Sequence, residues 1–238
     1  MDSNNSGELV DERYDTTAIP VEPTQAAGYE LSDRLVMLSR TGSTQAESIS
    51  MLHSQLLSRH VHDYRRGIAF CSASDGTGCS YMAANIACAM AMSGIRTLLL
   101  DANLRDPEID GYFTPREDRG GLLDCLGTDQ RDPGSVVHRE VIPNLSIIYS
   151  GGVSRESGLL SSTRFADIVG ACMRDYELTI IDTPPANKSS DALRIANVLR
   201  YALIVARKDR SYVKDIRKLV DDLRVNRAEV LGTYLNDF

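Results

Sequence analysis

From Ile68 onward the chain alternates between two hydrophobic rhythms: short, almost wholly apolar runs, and longer stretches whose apolar residues recur at helical spacing. The runs Ile68–Cys71, Leu98–Asp101, Leu145–Tyr149, Leu178–Asp182, Ala202–Ala206 and Val230–Asn236 read as strands, since a strand buried on both faces has no polar side to show. Between them Met82–Met92, Phe165–Met173, Asp191–Leu199 and Val213–Val225 read as helices, and Gly121–Gly127 as a short helix closed by glycine. Upstream, Ser43 to about Arg59 carries Ile49, Leu52 and Leu56 on one helical face, with Thr44 as cap and Glu47 at the capping-box offset. Strands alternating with helices predict a doubly wound α/β fold, a mostly parallel sheet with helices on both faces. Residues 31–238 are read as one domain, with the helix 43–59 preceding a core over 66–236.

The turn between the first strand and the first core helix carries the candidate chemistry. It reads Asp75-Gly76-Thr77-Gly78-Cys79-Ser80, a glycine-rich strand-to-helix connection. Such a loop brings backbone N–H groups and a helix N-terminus to one point, where unsatisfied donors and the helix dipole favour a phosphate. In a P-loop nucleotide site, Lys followed by Ser or Thr completes the turn, the Lys meeting phosphate and the hydroxyl meeting Mg²⁺. Here those places are Cys79 and Ser80. A dinucleotide fingerprint does not fit, because Tyr81 stands where its third glycine belongs.

Charge and composition narrow the partners. The chain has 238 residues and a net charge of −7, and no apolar run approaches the roughly 18 to 20 residues of a membrane span. With no basic-then-apolar start resembling a signal peptide, a cytoplasmic location is expected. Residues 1–30 hold seven acids (Asp2, Glu8, Asp11, Glu12, Asp15, Glu22, Glu30) against Arg13, so the net charge beyond them is only −1. They read as a disordered acidic tail. The acidic balance argues against a nucleic-acid partner. The five cysteines lack metal-ligand spacing and read as reduced, buried thiols, while His53 and His138 read as ordinary surface residues.

Taken in order, SASDGTGCS, LLLDANLRDP, LTIIDTPP, SDAL, ALIVAR and LGTYLN resemble the cytoplasmic kinase domain of bacterial tyrosine kinases (BY-kinases), the CpsD/CapB-like proteins of capsule and exopolysaccharide systems, within the ParA/MinD-like P-loop ATPases. The resemblance covers about residues 43–238. It implies a P-loop NTPase-like fold and a Mg-ATP or Mg-ADP site in which Gly76, Gly78, Cys79 and Ser80 form the loop. By the same resemblance Arg105 and Asn236 also border the nucleotide, Asp101 and Asp182 are the catalytic carboxylates, and Ser80, Asp101 and Asp182 surround Mg²⁺. It further implies an inner-membrane polysaccharide chain-length or export protein as partner, so that the chain would sit at the membrane only through that protein.

The departures from the family pattern imply weakened chemistry. Cys79 replaces the phosphate-binding Lys, Asp75 the turn proline, and Asn103 a second acid. The first lysine in the chain is Lys188, so a substitute cation must come from there, from an arginine such as Arg105, or from a partner. Ser50 and His53 replace two arginines that make subunit contacts in the family, which implies a monomer or dimer rather than a ring, and leaves the apolar face of that helix to its own domain or to a partner. The C-terminal tyrosine cluster of the family is not found before Phe238; Tyr14, Tyr29 and Tyr234 remain as candidate phosphoacceptors. Two readings follow: a pseudokinase with weak or absent nucleotide binding, and an ATP-dependent tyrosine autokinase or weak ATPase using substitute groups. Cys79 is either a small residue filling a vacated place or a reactive thiolate at a helix start.

Overall fold

The computed structural model describes residues 28–117, 119–128, 130–156 and 158–237. In chain order its strands and α-helices are β1 (Tyr29–Leu31), α1 (Val36–Ser39), α2 (Thr44–Leu56), β2 (Gly67–Cys71), α3 (Cys79–Met92), β3 (Thr97–Asp101), β4 (Phe113–Pro115), α4 (Leu122–Leu126), β5 (His138–Ile142), β6 (Leu145–Ile148), α5 (Thr163–Asp175), β7 (Leu178–Asp182), α6 (Asp191–Leu199), β8 (Tyr201–Arg207), α7 (Val213–Val225) and β9 (Glu229–Asn236). Seven strands form one sheet in the order β5-β6-β3-β7-β2-β8-β9. All its neighbours are parallel except β5, which runs antiparallel to β6 at one edge.

Strand alternation sorts the core into two layers. Ile68, Phe70, Leu99, Ile147, Ile180 and Leu203 point to one side and pack with α1, α2 and α3. Ala69, Cys71, Leu98, Leu100, Ile181 and Ile204 point to the other and pack with α4 to α7. The central strands β3, β7 and β2 are buried along their whole length, as expected for parallel strands covered on both faces. This is the doubly wound α/β fold expected from the sequence. Its topological switch lies where β7 meets β3 and β2, and ligands of such sheets bind at the carboxyl ends there.

Several details differ from the expectation. Of the tail expected over 1–30, residues 1–27 lie outside the described residues, whereas Tyr29 and Glu30 belong to β1, which pairs antiparallel with β4. The cap of α2 is Ser43, not Thr44: its hydroxyl accepts the Ala46 N–H at 3.2 Å, which shifts Glu47 out of the capping-box position. Helix α2 continues as a π-helical turn over Leu57–Val61. That turn buries His60, whose Nε2 lies 3.2 Å from the Gly67 carbonyl and whose ring meets Tyr201 edge-on. Helix α3 begins at Cys79, earlier than the expected Met82. His138 is buried rather than at the surface, 3.0 Å through Nδ1 from the Tyr29 hydroxyl and edge-on to Tyr149. Ile49, Leu52 and Leu56 are covered by their own domain, so the apolar face of α2 is not left over for a partner. The five cysteines are free and buried, as expected. Among the described residues no helix is long and apolar enough to cross a membrane.

Candidate functional site

At the carboxyl ends of β2, β3 and β7 lies a cleft of about 520 Å³. The loop after β2 forms its floor. Gly76 and Gly78 both have positive φ, +66° and +83°, which a side chain would strain. A Cβ on Gly78 would also come within 2.5 Å of the Asn236 amide. Gly78 leads directly into α3, whose first helical bond runs from the Met82 N–H to the Gly78 carbonyl. The loop is braced from outside: Arg207 and Arg210 both donate to the Gly76 carbonyl, at 3.2 and 3.3 Å, and Asn236 Nδ2 donates to the Thr77 carbonyl at 3.0 Å.

Two carboxylates meet beneath the loop, because Asp101 ends β3 in direct register with Asp182 at the end of β7. Both are buried. Asp101 accepts the Asn103 N–H at 3.0 Å and the Ile109 N–H at 3.2 Å. Burial, and then the Asp182 charge, nevertheless raise its pKa well above the carboxylate range. Neither buried carboxylate oxygen of Asp182 makes a hydrogen bond of good geometry, although the Ser80 hydroxyl, the Cys79 thiol and the Thr183 N–H lie close to them. Burial lifts Asp182 to about 7, tempered by the neighbouring Ser80 hydroxyl and Cys79 thiol. Cys79 is itself buried, and desolvation followed by the Asp182 charge pushes its thiol well above the usual value. That environment favours the thiol over the thiolate.

The rim comes from three loops. After β3, Asn103 closes a tight turn on Asp106, with its Nδ2 2.5 Å from the Asp106 carbonyl, and Arg105 forms a 3.6 Å ion pair with Asp191. After β6, the Ser154 N–H bonds the Leu104 carbonyl at 2.7 Å, which brings Arg155 to the cleft. After β7, Lys188 Nζ lies 2.6 Å from Asp75 Oδ2. The structure therefore gathers Gly76, Gly78, Cys79, Ser80 and Arg105 around one cleft, with Asp101 and Asp182 beneath it and Asn236 behind the loop. Arg155, Glu108, Arg207 and Arg210 were not legible as site residues. Arg155, Glu108 and Arg210 lie in loops without periodicity, and Arg207, at the end of β8, is 131 positions from the glycine it braces.

The putative tyrosine-protein kinase EpsB of Ralstonia nicotianae is 36% identical over 162 residues, 68% of this chain and 21% of that protein. The tyrosine-protein kinase CpsD of Streptococcus pneumoniae serotype 4 is 31% identical over 176 residues, 73% of this chain and 77% of that one. The chain belongs to the bacterial tyrosine kinase family. It spans about a fifth of the length of its EpsB relatives. The kinase domain of Escherichia coli tyrosine kinase ETK shares the fold, with a TM-score of 0.78 over 85% of this chain and 79% of that one at 22% identity. No protein-family model matches the chain.

Within this BY-kinase frame the cleft fits one half of a Mg-nucleotide better than the other. Asp182, with two orphaned buried oxygens beside Asp101 and Ser80, suits a hard divalent cation that takes oxygen ligands. Among the described residues no three His, Cys, Asp or Glu side chains are grouped so as to hold a metal ion. The phosphate half has the glycine cradle and the helix start but no cation within the loop itself, and Asp75 stands beside it.

Proposed function

We propose that this chain is a pseudokinase of the bacterial tyrosine kinase family, retaining the fold and the outline of the nucleotide cleft and acting by binding. Its partner on this reading is an inner-membrane polysaccharide chain-length or export protein, met at the cytoplasmic face, in capsule or exopolysaccharide synthesis. The observation that carries the reading is a buried cysteine, Cys79, at the start of α3, where the family pattern calls for the phosphate-binding lysine. At an effective dielectric of about 20, a unit charge about 4 Å from another is worth roughly 4 kcal/mol. Losing that attraction leaves Mg-ATP or Mg-ADP binding weak or absent. Gly76, Gly78 and Ser80 remain as the cradle, and Asp101, Asp182 and Ser80 as the residues that would surround Mg²⁺. Mg²⁺, when bound, would offset the carboxylate charge and draw in a phosphate oxygen. Arg105 and Asn236 would border the nucleotide.

The family's charged subunit contacts have no counterpart at Ser50 and His53. The His53 ring is instead tied to the Ser93 hydroxyl at the end of α3, at 3.1 Å. We therefore assign the isolated chain as a monomer or dimer. A calorimetric titration with Mg-ATP tests the nucleotide reading: no heat, or an affinity weaker than roughly 100 μM, is expected. Low-micromolar binding overturns it.

A further inference from the structure

The cleft lost its cation from the loop, yet the fold delivers another to its mouth. Beyond β7 the chain continues alongside the phosphate loop: the Ala186 N–H bonds the Ser72 carbonyl at 2.9 Å and the Asn187 N–H bonds the Ala73 carbonyl at 3.2 Å. These two bonds fix the backbone of the next residue, Lys188, over the loop. Its ammonium closes on Asp75, at 2.6 Å, from the opposite wall. Lys188 is the only lysine among the described residues lining the cleft.

We propose that Lys188 is the phosphate-binding cation of this cleft, exchanging Asp75 for the anion and so standing in for the lysine missing at position 79. This rests on the reading of the cleft as a degenerate phosphate site and names the group that gives it residual affinity. Three observations support Lys188 over its neighbours. Its pair with Asp75 is about half exposed on both sides, 49% each, and exposed ion pairs are weak enough to trade partners at little cost. An ammonium on a flexible stem can make that move, whereas a guanidinium in a fixed fork pairs best where it already is. Arg105 lies 3.6 Å from Asp191, a largely buried carboxylate that Arg194 also engages at 3.4 Å, with its Nε buried and making no hydrogen bond of its own. Finally, the orphaned oxygens of Asp182 sit at the same strand ends, so a cation–phosphate pair would satisfy both halves of the site.

The bland alternative is that Lys188 only neutralises Asp75. A double-mutant cycle separates the two, because both readings have Lys188→Met weakening anion binding when Asp75 is present, but only direct contact predicts an effect when Asp75 is gone. The probe is inorganic pyrophosphate with Mg²⁺, titrated into the full chain while the Gly76 and Gly78 amide resonances are followed by NMR. The rest of each spectrum reports that the variant is folded. Saturable shifts are expected, with binding tightened by Asp75→Asn and weakened roughly tenfold by Lys188→Met in both the wild-type and the Asp75→Asn backgrounds. Equal affinities for Asp75→Asn and Asp75→Asn/Lys188→Met overturn the proposal, as does the absence of any saturable shift. Phosphoryl transfer from ATP, measured separately, would sink the pseudokinase reading without touching this one.

Discussion

Restoring a lysine at position 79 tests the reading of the loop with one substitution. The Cys79 side chain lies beside Asp182 and Ser80 at the start of α3, in a loop whose glycines keep the positive φ values a phosphate cradle needs. An ammonium there would gain roughly 4 kcal/mol from a phosphate about 4 Å away at an effective dielectric of about 20. Desolvation of the ammonium and its attraction to Asp182 reduce the gain toward that of one charge-assisted hydrogen bond, about 1.5 to 3 kcal/mol. Cys79→Lys should therefore tighten Mg-ADP binding by about ten- to a hundredfold in calorimetry. Cys79→Met, of similar reach but neutral, should leave it unchanged. The reasoning fails if Cys79→Lys binds no better than Cys79→Met and adding Asp75→Pro does not release the effect. In the Cys79→Lys background, Lys188→Met should lose most of its consequence.

The buried titratable groups give further expectations. His60 is held down to about 4 by burial, against an ordinary value of 6.5. The unfolded chain thus takes up the proton first, and stability falls as pH drops from about 6.5 toward 4. The loss reaches about 3 kcal/mol at most, and comparing pH-dependent melting of wild type with His60→Gln should show a flatter curve for the variant. Asp182 has the opposite sign: its folded value lies above the unfolded one, so ionisation costs stability as pH rises from about 4 through 7. Asp182→Asn should raise the melting temperature at pH 8 more than at pH 4; an unchanged or lowered value at pH 8 would mean the carboxylate has a compensating partner. Light scattering coupled to size exclusion should give a monomer or dimer, and a stable ring without partner or nucleotide would refute that assignment.

The alternation of apolar runs with helical stretches was enough for the doubly wound sheet, since each central strand is buried on both faces and leaves an unbroken apolar signature. The same criterion passed over β1, β4 and β5. The first two are three-residue strands among charged and glycine-rich stretches, and the third, His138–Ile142, exposes Arg139 and Glu140 and breaks its register against β6. His138 was read as a surface residue because the sequence offers it no partner pattern, whereas the fold packs its ring against Tyr29 and Tyr149. At the cleft, Asp101 and Asp182 were named through the family resemblance, and the register of β3 against β7 is what sets them side by side. Arg155 and Arg210 were not legible, since their position depends on which loops the topology brings together, and the brace that Arg207 at the end of β8 gives the Gly76 carbonyl depends on it too. Lys188 could be named from the sequence as a substitute cation. Its pairing with Asp75 required the backbone bonds that carry the β7 loop alongside Ser72 and Ala73.

The central claim is that this family member does not transfer phosphate. The direct measurement is mass spectrometry of the purified chain after incubation with Mg-ATP, with and without a candidate membrane partner. The account predicts no phosphotyrosine in either case, and abundant phosphate on Tyr29, Tyr234 or another tyrosine would contradict it.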